Sequence, residues 1–139
     1  MDITKDVAKF DSVSAAENGA WMDLIHPTEG PVVVKDGEKT SPVSIKFMGR
    51  DSAAFRRVNM NLARKRVKKA ANDRLDADID NQDTITAISS VAMDWRGFTK
   101  DGAPLKFSPE ELTALLRKAP WITEQADNFI GDRANFMTA

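Results

Sequence analysis

A helix start at Ser108 constrains the fold more than any other feature of the sequence, because several signals coincide there. Ser108 can accept a hydrogen bond from a free backbone N–H as N-cap, Pro109 suits the first helical position, and Glu111 occupies the acid position of a capping box. Apolar residues then recur on one face at helical spacing: Leu112, Leu115, Leu116 and Ala119. The sequence therefore predicts a short amphipathic helix after Ser108.

The surrounding stretch, residues 93–136, resembles a docking unit in its composition. Trp95 and Trp121 lie on either side of a glycine-bearing loop and the predicted helix, and Pro120 separates this helix from another that runs to about Arg133. We expect Trp95 in the core, Trp121 near a binding face, and Phe136 as a final anchor. The predicted partner-facing or partner-supporting residues are Leu112, Leu115, Leu116, Trp121, Ile122 and Phe129.

A long basic helix is predicted between the sequence G-R-D-S (Gly49 to Ser52), which supplies its cap at Asp51 or Ser52, and about Ala71. Its apolar residues form two adjacent stripes, which are wide enough to meet two surfaces: Phe55, Val58 and Leu62 on one, and Met60, Ala63, Val67 and Ala71 on the other. No acid interrupts the segment. The predicted charged docking face comprises Arg56, Arg57, Arg64, Lys65 and Lys68.

The first 50 residues predict a helix or arm followed by strands. Ile3, Val7, Phe10 and Val13 have the spacing of a short amphipathic helix that ends at Asn18-Gly19. Strand-forming residues separated by turn residues then occupy three segments: Ala20 to His26, Pro31 to Lys35, and Pro42 to Arg50. We expect a small antiparallel β-meander that packs against helices, because so small a sheet is not stable alone.

After the basic helix, Asp83 or Thr84 can start a helix with Ile85, Ile88 and Trp95 on one face, ended by Gly97. The expected fold class is α+β and predominantly helical: an N-terminal β-meander, the long basic helix, and three or four further helices. One domain is expected for 139 residues, with 1–50 forming the arm and meander and 51–139 the helical part.

Composition narrows the function classes. There are 20 basic and 21 acidic residues, so the chain as a whole is not attracted to nucleic acid or to anionic lipid. Cysteine and tyrosine are absent, His26 is the single histidine, and no nucleophile elbow or phosphate-binding glycine loop is present. We therefore expect a protein that is not an enzyme. No apolar run is long enough for a membrane helix and the start is too polar for a signal peptide, so a cytoplasmic location is expected.

The acidic run after the basic helix is the best metal candidate. Asp76, Asp78 and Asp80 have the alternate spacing of the first calcium-loop ligands, but Ala87 stands where a bidentate glutamate is required. We interpret the run as a solvated acidic surface, and we expect no metal and no cofactor.

Several short motifs resemble the tail assembly chaperones of long-tailed bacteriophages. The resemblance spans roughly residues 15 to 137, and none of its motifs is a catalytic fingerprint. It is carried by G-R-D-S at Gly49, W-R-G-F at Trp95, D-G-A-P-L-K-F-S at Asp101, E-L-T-A-L-L at Glu111, P-W-I at Pro120 with Gln125, and N-F at Asn135.

The resemblance implies a specific role. Members of this family coat the long, largely helical tape measure protein in the host cell cytoplasm before the tail tube polymerises around it. They tend to self-associate, and many have a longer, frameshifted form that recruits tail tube subunits. Two alternatives stay open: a structural component of the phage tail or head–tail connection, and a nucleic-acid-binding protein that uses the basic helix.

Overall fold

Helices and short strands alternate along the chain in an α+β fold. The computed structural model describes residues 1–70 and 77–137. The helices in these residues are α1 Val7–Phe10, α2 Ser12–Asn18, α3 Ala53–Ala70, α4 Ala77–Val91, α5 Pro109–Lys118 and α6 Pro120–Gly131, followed by a 3₁₀ turn at Arg133–Asn135. The strands are β1 Ala20–Asp23, β2 Ile25–His26, β3 Gly30–Pro31, β4 Val33–Asp36, β5 Lys39–Pro42, β6 Ser44–Phe47, β7 Ala92–Arg96, β8 Thr99–Lys100 and β9 Ala103–Pro104.

A three-stranded antiparallel sheet with the order β1-β6-β7 joins the two halves of the chain. Met22 pairs with Ile45, and Ile45 pairs with Trp95, so one row of buried side chains crosses all three strands. Because β7 comes from the part of the sequence expected to be only helical, the expected division at residue 50 does not separate the sheet from the helices.

The segment between β1 and β6 forms two separate strand pairs, β2 with β3 and β4 with β5. Backbone hydrogen bonds tie this excursion to the main sheet: Leu24 N donates to Val43 O at 2.9 Å, and Val32 N donates to Leu24 O at 3.0 Å. The connection therefore differs from a simple meander, because β1 pairs directly with β6, the last strand of this region.

The prediction of one helix from Asp83 or Thr84 through Trp95 is wrong at both ends, because α4 begins at Ala77 and ends at Val91. Ile85, Ile88 and Val91 do lie on a buried face of α4, but the chain then changes to β7. Trp95 is buried on that strand rather than on the helix. Gly97, predicted as a helix end, instead follows the strand at φ +89°, and an added Cβ would lie 3.0 Å from Val43 Cγ2.

Trp95 also fixes the loop that follows it. Its Nε1 donates to Leu105 O at 2.8 Å, its ring stacks on Phe98 at 4.3 Å between centroids, and Phe107 meets it edge-on. The residues between Phe98 and Leu105, expected to be a loop, form the hairpin β8–β9. Its turn has positive φ at Asp101 and at Gly102, as a two-residue hairpin turn requires.

Helices α4, α5 and α6 pack on one another, and their buried side chains form one apolar cluster with those of the main sheet. The start of α5 is as predicted, because Ser108 Oγ accepts a hydrogen bond from Glu111 N at 3.1 Å. The Glu111 side chain forms an ion pair with Lys100 Nζ at 3.5 Å. Thr123 Oγ1 on α6 donates to Leu116 O on α5 at 2.9 Å, so the short connection at Ala119 is fixed on both sides.

Candidate partner-binding surface

Three of the six predicted partner residues on α5 and α6 belong to the core. Leu112 is 0% exposed, Leu116 is 1% and Ile122 is 3%. Such side chains can support a binding face but cannot touch a partner, because α4 and the sheet already cover them. The expectation that these three face a partner is therefore corrected: the apolar stripe of α5 is satisfied within the chain.

The other three residues, Leu115, Trp121 and Phe129, are half-buried and pack against the core. The Phe129 ring meets Phe136 edge-on at 5.4 Å, and Phe136 is buried, as predicted for a final anchor. The Trp121 ring meets His26 at 5.3 Å between centroids. Trp121 is thus at the border of the protein interior, with part of its ring accessible.

Gln125 joins α6 to the edge of the sheet beside Trp121. Its Oε1 accepts from Ile25 N at 3.2 Å, and its Nε2 donates to Asp23 O at 2.9 Å, which satisfies two backbone groups of that edge. Around this contact lies a shallow hollow lined by Ile25, Pro27, Trp121, Glu124, Gln125 and Asn128. Ile25, Pro27 and Trp121 form its apolar part, and Glu124, Gln125 and Asn128 form its polar part, so it offers only a small apolar area to a partner.

His26 is engaged in local structure. Its Nδ1 accepts from the backbone N–H groups of Thr28 and Glu29, each at 3.2 Å. These bonds fix the turn between β2 and β3. Among residues 1–68 and 81–137, whose side chains are described, no three histidine, aspartate or glutamate side chains are grouped to hold a metal ion. The candidate calcium residues, Asp76 to Asp80, lie outside the residues whose side chains are described.

Helix α3 is firmly held at its start. Ser52 is the N-cap, since its Oγ accepts from Phe55 N at 3.2 Å, and Glu17 on α2 accepts from Ala53 N at 2.7 Å. Both bonds satisfy backbone N–H groups that a helix leaves free in its first turn. A carboxylate at this end also interacts favourably with the helix dipole.

A second contact joins the start of α3 to the C-terminal end of the described chain. Arg133 Nε and Nη2 donate to the two carboxylate oxygens of Asp51 at 2.7 and 2.9 Å. The Arg133 hydrogen bond, followed by one from Ser12, lowers the pKa of Asp51 to about 2. The same pair raises the pKa of Arg133. This bidentate geometry is the strong form of the arginine–carboxylate interaction.

One apolar stripe of α3 faces the protein. Phe55, Val58 and Leu62 are half-buried, and α3 packs along α4. Farther along, Arg66 Nε donates to Asp83 Oδ2 at 3.2 Å, and Asp83 is nearly buried. Helix α3 is therefore attached to the protein at its first turn and along one side.

The second apolar stripe of α3 is uncovered along its described length, and Ala71, the last residue predicted for it, lies outside the described residues. Met60 is 55% exposed, Val67 is 74% exposed, and Ala63 between them is also exposed. We refer to Met60, Ala63 and Val67 as the outer stripe. All the cations predicted to form a docking face on this helix are exposed: Arg56, Arg57, Arg64, Lys65 and Lys68. The outer stripe and these cations therefore place exposed apolar and basic side chains together on one regular helix.

The N-terminal arm, residues 1–13, is another apolar surface that the chain leaves uncovered. Ile3, Val7, Phe10 and Val13 were expected to pack through a helical face, yet all four are exposed. The arm forms the short α1 and the beginning of α2, and the buried contact of this region is made by Ala16 against Gly49 and Phe136. The prediction of an amphipathic segment locates the apolar residues correctly, but the chain itself does not bury them.

Comparisons with protein-family models, curated proteins and solved structures give no match to this chain. Of the helices that the structure describes, none combines the length and the apolar character needed to cross a bilayer. The function is therefore inferred from the exposed apolar and charged surfaces of the chain.

Proposed function

We propose that this chain is a non-enzymatic bacteriophage tail assembly chaperone, which binds the tape measure protein in the host cell cytoplasm and helps tail tube assembly. One observation carries the proposal beyond the sequence resemblance. The outer stripe of α3 is apolar, uncovered and bordered by cations, and such a face suits a helical client better than a small-molecule substrate. A helix recognises another helix through apolar residues at intervals of three and four.

The chemistry of the surface also suits transient binding. The outer stripe contains one methionine, one alanine and one valine, without a large aromatic anchor of the kind that dominates tight interfaces. Methionine adapts to differently shaped partners because its side chain is flexible and polarizable. Several such contacts along a long client would hold it in solution and still release it when the tail tube assembles.

Further partners follow from the same proposal. The exposed N-terminal arm provides a second apolar surface, separate from the outer stripe, which suits self-association. The tail tube protein is a further candidate partner, recruited when the tube grows around the client.

Co-expression tests the proposal. The chain is produced together with tagged helical fragments of the tape measure protein encoded beside it, and the soluble fraction is compared with that of the fragments alone. We expect the fragments to be soluble and to co-purify with the chain. Finished phage particles are examined in parallel by quantitative mass spectrometry, and the chain should be absent from them.

Two results would contradict the proposal. Stoichiometric copies in finished particles would identify a structural tail or head–tail component instead. Tight duplex binding at physiological salt, with an affinity that falls steeply as salt rises, would favour a nucleic-acid-binding protein that uses α3.

A further inference from the structure

We propose that the outer stripe of α3 and the cations along one of its sides form a docking surface for an amphipathic helix that carries acidic residues along the matching side. The inference deepens the proposed function and rests on it for the identity of the client, a segment of the tape measure protein. The residues of this chain alone determine the chemistry that a partner must have to fit the surface.

The outer stripe has the geometry of a helix-recognition face. Each residue of an α-helix adds about 100° of rotation, so Met60, Ala63 and Val67 lie within a narrow sector of the helix surface. That sector is well separated from the inward stripe that packs along α4. A partner helix can therefore lie along the outer stripe without displacing any contact that holds α3 in place.

The cations are not spread evenly around α3. The same rotation places Arg57, Arg64 and Lys68 in one row beside the outer stripe, and we refer to these three residues as the cationic row. Arg56 falls in the sector of the outer stripe itself, one turn before Met60, and Lys65 lies on the far side of the cationic row. Arg64 lies directly against the stripe, with its Nη2 3.5 Å from Met60 Sδ. On the other side, Asn59 and Arg66 border a shallow hollow, and Arg66 is paired with Asp83.

This asymmetry determines the chemistry of the partner. Burial of the outer stripe requires an apolar face, and the adjacent cationic row requires carboxylates at the same height along the partner helix. A helix with apolar residues at intervals of three and four and with glutamate or aspartate along one edge satisfies both requirements. Charge complementarity of this kind also orients the partner and speeds association.

A second copy of this chain is a poorer occupant. In a symmetric pair of α3 helices, the cationic row of each copy would face either the row of the other copy or its opposite side, and neither offers a carboxylate, because α3 contains no acidic residue. Like charges facing each other across an interface oppose binding. Self-association through α3, which the wide apolar stripes permitted, is therefore disfavoured by the charges beside the stripe.

Nucleic acid is also a poorer occupant. Phosphate groups would satisfy the cationic row but would leave Met60 and Val67 uncovered. Proteins that bind single strands add aromatic side chains on which bases stack, and the outer side of α3 has none. The apolar centre of the surface thus favours a protein helix.

Contacts within the chain already hold α3 in place, so this helix can bind a partner without rearranging. The hydrogen bond from Ala53 N to Glu17 fixes its first turn, the bond from Arg133 to Asp51 fixes the chain just before it, and the pair Arg66–Asp83 fixes it farther along. A surface that is already ordered loses less conformational entropy when a partner binds.

The experiment uses the full chain and two labelled synthetic peptides, each an amphipathic helix about five turns long. Both peptides have leucine at intervals of three and four; one has glutamate along one edge and the other has lysine at the same positions. Fluorescence anisotropy at about 0.15 M salt measures their affinities. We expect the glutamate peptide to bind at least about tenfold more tightly than the lysine peptide, which is about 1.4 kcal/mol.

Three variants test the surface. Val67→Asp should weaken binding of the glutamate peptide about tenfold, and this loss should persist at about 1 M salt, where charges are largely screened. The double variant Arg64→Glu/Lys68→Glu should reverse the preference in favour of the lysine peptide. The control Lys35→Glu/Lys39→Glu changes the net charge equally on the exposed β4–β5 pair and should leave the preference unchanged. Circular dichroism verifies that each variant is folded.

The inference is overturned if Val67→Asp binds the glutamate peptide normally, or if the control reverses the preference as effectively as the α3 double variant. It is also overturned if Val67→Asp abolishes self-association of the chain, or if duplex DNA displaces the peptide with equal affinity in the wild-type chain and in Val67→Asp.

Failure of the inference can be distinguished from failure of the proposed function. Peptide binding that meets every expectation, without any co-purification of tape measure fragments, would contradict the function alone. Co-purification that Val67→Asp leaves unchanged would contradict the inference alone.

Discussion

Helices α5 and α3 have similar apolar patterns but opposite environments. On α5, Leu112 and Leu116 are completely enclosed by α4, α6 and the sheet. On α3, the outer stripe is exposed although its spacing is just as regular. An amphipathic pattern therefore identifies the apolar face of a helix but does not predict which surface covers that face. A stripe covered by its own chain contributes to stability, whereas an uncovered one is free for a partner.

The two helices also differ in how their charged residues are distributed. α5 has acids in its first turn and cations in its last, an arrangement that favours the helix itself through its dipole. α3 has cations at both ends and no acid, and the acceptors for its first-turn N–H groups are Glu17 and Ser52, which lie outside the helix. Its unbalanced charge is therefore better explained by a partner than by helix stability.

The largest expected effect comes from matched truncations of the two helices. Leu112→Ala should lower the free energy of unfolding by about 2 to 5 kcal/mol, because it removes a completely buried side chain and leaves a cavity. Met60→Ala, on the outer stripe, should change it by no more than about 0.5 kcal/mol. Urea denaturation measures both values. If the two truncations cost the same, the contrast between the helices would be lost.

Replacement of Trp121 by alanine tests the border between the two environments. Because its ring is half-buried and makes one edge contact with His26, we expect a loss of about 1 to 2 kcal/mol, less than the roughly 3 to 5 kcal/mol typical of a buried tryptophan. Trp95→Ala is the matched control and should reach that larger value. If thermal and urea unfolding show that the two replacements lower the free energy of unfolding equally, Trp121 belongs to the core.

The sequence predicts best what is decided locally. Ser108 and Pro109 specify the start of α5 through a hydrogen bond and a backbone angle that need no distant partner. Ile85, Ile88 and Val91 likewise identify the buried face of α4. The hairpin β8–β9 could also have been predicted from local sequence, because Asp101-Gly102 is a strong signal for a two-residue turn, although we expected a loop there.

Strand β7 and the surface of α3 could not be predicted in this way. Trp95 is four residues after Val91, so it extends the helical stripe of α4 as well as it fits a strand, and pairing with Ile45 on β6 decides between them. For Met60 and Val67, the sequence specifies that they share a stripe of α3. Whether that stripe is covered depends on how the complete chain packs, so the sequence prediction assigned the apolar partner residues to α5 and α6 and only a charged docking face to α3.

A smaller effect on stability is expected from the ion pair Asp51–Arg133, which joins the start of α3 to the C-terminal end of the described chain. The pKa of Asp51 is about 2, below its ordinary value of 3.8. The ionised carboxylate therefore stabilises the fold above about pH 4, and this contribution is lost as the pH falls through about 2. Since the Arg133 side chain is half exposed, solvent screening limits the effect, and Asp51→Asn should cost about 1 kcal/mol at neutral pH.

Chemical denaturation over a range of pH checks this prediction. The difference between the wild-type chain and Asp51→Asn should be constant near neutrality and should shrink steadily below about pH 4. A difference that stays constant down to pH 2 would mean that the charge on Asp51 does not hold α3 to the C-terminal end.

Hydrogen–deuterium exchange of the chain with a co-purified tape measure fragment tests the central claim most directly. The account predicts that the fragment slows exchange in Ala53–Ala70, on the helix that carries the outer stripe, while the backbone of Pro109–Lys118 exchanges as it does in the free chain. Slower exchange confined to Pro109–Gly131, with α3 unchanged, would contradict it and would return the binding site to α5 and α6.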